Sequence, residues 1–104
     1  MTRAGFLVLL ASTGVLAAEP PPPGRTKSQP CATCHGPSGL SNAPDTPSLA
    51  GQPRIYLVAQ LKAYRGGTRQ HEVMSLMAKT LSDADIDELA AWFSSLKIEV
   101  QPLP

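Results

Sequence analysis

The sequence predicts an all-α fold, and three observations carry that prediction. No stretch alternates apolar and polar residues with period two, so no half-buried strand is legible. Two segments, Arg54 to Arg65 and Ile86 to Leu96, repeat apolar residues at helical spacing. The third observation is the pentapeptide Cys31-Ala32-Thr33-Cys34-His35. Thiols three positions apart face the same side of a helical turn, and the next side chain can rise over whatever they hold. Such a pattern can fasten a haem by thioether bonds to its two vinyl groups and set an imidazole nitrogen on the iron.

At 104 residues the chain holds one domain at most, in the size range where a single core is thin and a covalent cofactor often completes it. A haem supplies the missing apolar centre. The formal charge is +1, with eight acids and nine bases spread along the chain, which argues against nucleic acid or an anionic surface as a partner. Residues 1–18 read as a secretory signal peptide. Arg3 is its positive start, Gly5 to Leu16 its mostly apolar run, and cleavage is expected after Ala17 or Ala18. That run is too short for a comfortable membrane span, so the mature chain is expected in the periplasm without one. Export to an oxidising compartment makes a disulfide the default for two cysteines. The adjacent His35 favours haem instead.

Residues 19–30 read as a Pro-rich linker, because four consecutive prolines favour an extended arm without helix hydrogen bonds. Residues 31–98 form the folded domain and residues 99–104 a C-terminal tail. Within the domain, Gly36 to Gln52 is rich in Gly, Pro, Ser and Asn and reads as loop. Pro53 opens a helix that carries Leu57, Val58 and Leu61 and stops at Gly66-Gly67. His71 to Lys79 fits either a short helix or an irregular loop. The last helix has Ser82 as its N-cap, Asp83 and Asp85 at the positive end of its dipole, and Leu81 with Ile86 as a hydrophobic staple. Ile86, Leu89, Ala90, Phe93 and Leu96 form its stripe.

His35 is the candidate proximal ligand, and coordination through Nε2 requires an acceptor for its Nδ1 proton, to come from the following loop. The bland alternative is a surface histidine after an exposed disulfide. For the sixth position, Met74, Met77 and His71 are the available donors, and methionine is the better class because a thioether favours reduced iron. At least one of the two methionines is expected to be ordinary packing, and spacing alone does not separate them. Tyr56, Tyr64, Trp92 and Phe93 fit either the macrocycle edge or ordinary core. Arg54, Lys62, Arg65, Arg69 and Lys79 read as a solvated face, a subset of which suits a haem propionate or an acidic partner. A thiol oxidoreductase normally needs a strand-helix-strand setting around its cysteines, and a zinc site needs about four ligands. No such strands are legible, and beyond Cys31, Cys34 and His35 only His71 offers a good zinc ligand.

With these residues in view, the chain resembles class I c-type cytochromes, most closely the single-haem halves of bacterial dihaem cytochromes and small exported cytochromes. The resemblance runs through Cys31-Ala32-Thr33-Cys34-His35-Gly36, Pro47-Ser48-Leu49-Ala50-Gly51-Gln52, Tyr56-Leu57 with Gln60-Leu61, and Leu81 to Ile86 leading into Leu89-Ala90-Ala91-Trp92-Phe93. It implies a class I cytochrome c fold around one haem c, bound covalently through Cys31 and Cys34, with His35 and Met74 as the ligands of the iron. It further implies that the Pro47 carbonyl accepts the His35 Nδ1 proton, that Leu49 packs on the haem face, and that Met77 is a non-ligating neighbour. One departure is visible: the helix that usually precedes the haem motif is shortened or missing, since Pro20 to Pro23 stand in its place. Either a shortened turn then covers Trp92 and Phe93, or another subunit does.

The expected function is that of a periplasmic one-electron carrier and not an enzyme, passing electrons between redox proteins: a donor reductase and an acceptor oxidase or dehydrogenase subunit. Two alternatives remain at this level. One is a cytochrome subunit of a larger dehydrogenase, such as a flavocytochrome complex, favoured by the missing helix and the Pro-rich arm. The other is a haem sensor or peroxidase with an open sixth site, which requires that neither Met74 nor Met77 bind iron.

Overall fold

The computed structural model describes residues 1, 5 and 7–104; Arg3, the positive residue of the expected signal, lies outside the described residues with Thr2, Ala4 and Phe6. Residues 7–22 carry no regular secondary structure. Five helices follow: α1 (Pro23–Lys27), α2 (Gln29–His35), α3 (Arg54–Gly66), α4 (Met74–Lys79) and α5 (Asp83–Ser95). Among the described residues there is no strand, as the lack of period-two alternation implies. No helix among them is long and apolar enough to cross a membrane.

The last helix is the hub, with α1 and α3 both packed on it and α4 packed on α3. Its start is built by reciprocal hydrogen bonds: the Ser82 hydroxyl accepts the Asp85 N–H at 3.0 Å, and the Asp85 carboxylate accepts the Ser82 N–H at 3.0 Å. Asp85 therefore acts as a cap as well as a dipole partner. The stripe falls as expected, with Ile86, Leu89, Ala90 and Phe93 buried. Leu57 of α3 joins Leu89, Ala90 and Phe93 in one cluster, flanked by Val58, Leu61, Leu81 and Leu96. Each large side chain in that cluster contributes about 1.5–3 kcal/mol when fully buried. At the other end of α3, Gly67 adopts the left-handed conformation that ends the helix. The His71 to Lys79 segment resolves into the six-residue α4.

The linker reading of residues 19–30 needs correction. Pro22 is extended, but Pro23 to Lys27 and Gln29 to His35 are helical. Proline blocks a helix interior, not its first turn, where its fixed φ is favourable and no N–H is required. Pro23 opens α1 and Pro30 falls in the first turn of α2. Ser28, between them, donates its hydroxyl to the Arg25 carbonyl at 2.7 Å and its N–H to the Gly24 carbonyl at 2.9 Å. The helix that usually precedes the haem motif is present in shortened form as α1, whose Gly24 packs against Trp92.

That contact depends on the lack of a side chain at Gly24, which is buried. A Cβ there would lie 2.2 Å from the Glu88 carbonyl oxygen and 2.6 Å from Trp92 Cβ. Lys27 then ties the two helices electrostatically, donating to the Asp85 carboxylate and pairing with Glu88 at 2.8 Å. We predict that Gly24→Ala lowers the stability of the holoprotein by about 1–3 kcal/mol, the usual cost of overpacking, as read from denaturant unfolding. An unchanged midpoint would mean that α1 does not seat on α5 in this way. A second prediction concerns acid. The Lys27 ammonium, followed by the Ser82 N–H and hydroxyl, pulls Asp85 from the ordinary 3.8 to about 2. A carboxylate favoured in this way only when folded stabilises the chain fully above the unfolded value, and the effect drains away as pH falls through the folded value. Asp85→Asn, which keeps an acceptor for Ser82 but loses the ion pair, should therefore flatten the fall in unfolding temperature between pH 3.8 and about 2.

Candidate haem site

The site is assembled on α2, which ends in Cys34 and His35. Cys31 and Cys34 are free thiols one helical turn apart and so share a face. Cys31 packs against the cluster of Leu57, Leu89, Ala90 and Phe93, while Cys34 is exposed. Burial pushes the Cys31 thiol above its usual pKa, so it sits in the fold as a small apolar group. The turn of helix thus rests on the core by one thiol and offers the other outward.

His35 is 6% exposed, and its Nδ1 lies 2.7 Å from the Pro47 carbonyl oxygen. A carbonyl only accepts, so the ring proton sits on Nδ1 and the Nε2 lone pair is left free. The loop that brings Pro47 back is pinned along its length. Gly36, with φ of 88°, turns the chain so tightly that a Cβ there would lie 2.0 Å from the Leu40 carbonyl oxygen. The Gly39 carbonyl accepts the N–H groups of Leu49 at 2.7 Å and Ala50 at 3.1 Å. Gly51 donates its N–H to the Phe93 carbonyl at 2.9 Å, which fixes the loop to α5. Leu49 consequently lies part-buried against the same cluster as Cys31.

Met74 is placed by a different set of contacts. It is the first residue of α4 and is half-buried, whereas Met77 is 41% exposed. His71 is occupied: its Nδ1 accepts the N–H groups of both Val73 and Met74 at 3.2 Å. In the sequence, His71 reads only as a candidate ligand. The signal that finds a helix cap is Ser, Thr, Asp or Asn before the first turn, and a histidine in that place passes unnoticed.

The residues present fit a haem. The donor set offers two thiols on one helical face and an imidazole with Nε2 available, and the buried apolar core comprises seven of the described residues, with Ile86 the largest fully buried side chain among them. Leu40, Tyr56 and Val73 are each 46–48% exposed, apolar surface that a prosthetic group can cover. Among the described residues no three His, Cys, Asp or Glu side chains converge as a metal-binding group, and α2 is preceded by a helix instead of a strand. The helix before α2 is not the strand-helix-strand setting that a thiol oxidoreductase uses.

A helical fold that presents paired thiols and a carbonyl-tethered histidine in this way defines a c-type haem protein. Residues 23–97 match the family model described as Cytochrome c, and the chain belongs to that family. It is 43% identical over 89 residues to a thiosulfate dehydrogenase electron acceptor of Thiomonas intermedia, covering 85% of this chain and 39% of that protein. It is 44% identical over 75 residues to cytochrome c-554(548) of Halomonas halodenitrificans, covering 69% of this chain and 90% of that protein. In structure it is similar to the reduced recombinant cytochrome c4 of Pseudomonas stutzeri, with a TM-score of 0.67 and 40% identity over 71% of this chain and 44% of that one. The chain therefore spans about half the length, or less, of several curated relatives it matches. The fold is the all-α class I cytochrome c fold, and Cys31 and Cys34 carry one covalent haem c.

The attachment makes a direct prediction. In a host equipped for haem ligation, the purified chain should carry the mass of one haem through denaturation, and the Cys31→Ala, Cys34→Ala double variant should lose it completely. Retention of covalent haem by that variant would exclude this attachment.

Proposed function

We propose that the protein is a one-electron carrier of the periplasm, with His35 and Met74 as the axial ligands of its haem iron. The observation that carries this reading is the buried His35 imidazole, adjacent to Cys34, with Nδ1 donating to the Pro47 carbonyl at 2.7 Å and Nε2 therefore free. Bound haem supplies a ferric–ferrous couple. His35 offers a nitrogen held in one tautomer and one ring plane. Met74 offers a sulfur from a part-buried position, which favours it over the more exposed Met77. Leu49 supplies part of the apolar wall that limits solvent on the His35 side. Two protein ligands that persist through the redox cycle leave little to reorganise. With His35 and Met74 both holding the iron, the protein would pass electrons and turn over no substrate of its own.

Residues 1–18 act as the export signal and residues 99–104 as the tail of the folded unit. The partners are redox proteins that meet the haem edge near the two cysteines. The name of the Thiomonas relative supports a dehydrogenase as the electron donor. The share of the longer relatives that the chain spans supports a second reading, in which this domain works beside another electron-transfer unit.

The ligand assignment is tested by potentiometry on single variants. Met74→Ala should lower the midpoint potential by at least about 60 mV, a tenfold change in a one-electron equilibrium, and abolish the sulfur-to-iron charge-transfer band of the ferric protein. Met77→Ala should leave both unchanged. The reverse pattern would move the sulfur ligand to Met77, and a parent protein that lacks the band and binds external ligands readily would have an open iron.

A further inference from the structure

We propose that His71 is a positioning residue for Met74, holding the ligand-bearing helix in place through its imidazole Nδ1. The inference rests on Met74 as the sixth ligand.

A helix of six residues has no standing of its own in water, so α4 depends on its packing against α3 and on how its ends are satisfied. Its start is satisfied by His71. The ring Nδ1 accepts the N–H groups of Val73 and Met74 at 3.2 Å each. The neighbouring bonds run in both directions: the Ser75 hydroxyl accepts the His71 N–H at 3.0 Å, and the His71 carbonyl accepts the Ser75 N–H at 3.0 Å. From two residues before the N-cap Val73, the imidazole thus accepts N–H groups at the head of α4 as a capping hydroxyl or carboxylate would. Because Nδ1 accepts, the ring proton is on Nε2.

The loop leading into His71 is already held. The Arg69 N–H donates to the Ala63 carbonyl at 3.1 Å, its guanidinium donates to Gln60 at 2.5 Å, and it stacks 4.7 Å over the Tyr64 ring. With the chain anchored to α3 at Arg69, the last adjustable joint before Met74 is the turn that His71 closes. His71 is exposed, so its removal opens no cavity in the core. Its contribution is to the position of the Met74 backbone, and through it to the hold of sulfur on iron.

The test uses the matured holoprotein and imidazole as an external ligand that competes with Met74 for ferric iron. Loss of a typical cap, converted to an equilibrium, predicts that His71→Ala tightens imidazole binding about fivefold. His71→Asn, whose side-chain oxygen can accept the same N–H groups, should stay within about twofold of the parent. Lys27→Ala, which loosens α1 from α5 away from this loop, should lower the unfolding temperature without changing imidazole binding. Imidazole affinity unchanged in His71→Ala overturns the proposal, as does a His71→Asn variant no better than His71→Ala or a Lys27→Ala variant that binds imidazole equally tightly. Met74→Ala separates the two levels. If it removes the sulfur-to-iron band while His71→Ala is silent, only the positioning role falls; if the band survives in Met74→Ala, the ligand assignment and the positioning role fall together.

Discussion

The hydrogen bond from His35 Nδ1 to the Pro47 carbonyl joins two parts of the chain that secondary structure leaves separate. On one side is the end of a short helix carrying both cysteines; on the other is an irregular loop with no ladder of its own. A buried imidazole without a partner would cost the desolvation of its polar nitrogen. The loop therefore has to return, and the turn at Gly36, the double acceptor at Gly39 and the Gly51 bond to Phe93 are the means by which it does. One contact thus sets the tautomer of the candidate ligand and also determines where the loop closes against α5.

The rest of the fold answers a shortage of apolar material. Seven buried hydrophobic residues among those described make a thin core, and among helices this short neither propensity nor length supplies cooperativity. Close backbone approach at Gly24 compensates on one side of α5, where α1 lies near enough for Lys27 to reach both Asp85 and Glu88. On the other side α3 inserts Leu57, with Val58 and Leu61 beside it, into the face formed by Leu89, Ala90 and Phe93. Cys31 belongs to the same packed set, so the covalent attachment point is part of the core it completes.

Much of this was legible because the signals were strong and local. The α3 boundaries follow from Pro53 and Gly67, the α5 start from Ser82, and the site from a pentapeptide whose order has a chemical meaning. Prolines were the source of the main misreading. A run of four suggests an extended arm, and Pro22 is extended, yet Pro23 meets a helix start that tertiary packing against α5 makes worthwhile. Spacing could not choose between Met74 and Met77, since both lie on a segment whose state depends on a cap that is nearly invisible in sequence. Histidine scores poorly as a capping residue, and only its position relative to the Val73 and Met74 N–H groups reveals the role.

The two sides of the candidate iron site are held by forces of different kinds. His35 follows directly on a cysteine that carries the haem, so chain connectivity would keep its imidazole beside the bound group, and Pro47 fixes its ring. Met74 has no such bond. It sits at the head of a single short helix, thirty-nine residues further along, and is held by α3 packing, the Arg69 anchor and two capping bonds of 3.2 Å. Individual contacts of that sort contribute on the order of 1 kcal/mol each. The histidine side is therefore set by the chain's connectivity, whereas the methionine side is set by the stability of a loop. With Met74 as the proposed ligand, local changes that leave the fold intact should act on the redox centre from the methionine side first, because that is where a small free-energy change is a large fraction of what holds the side chain in place.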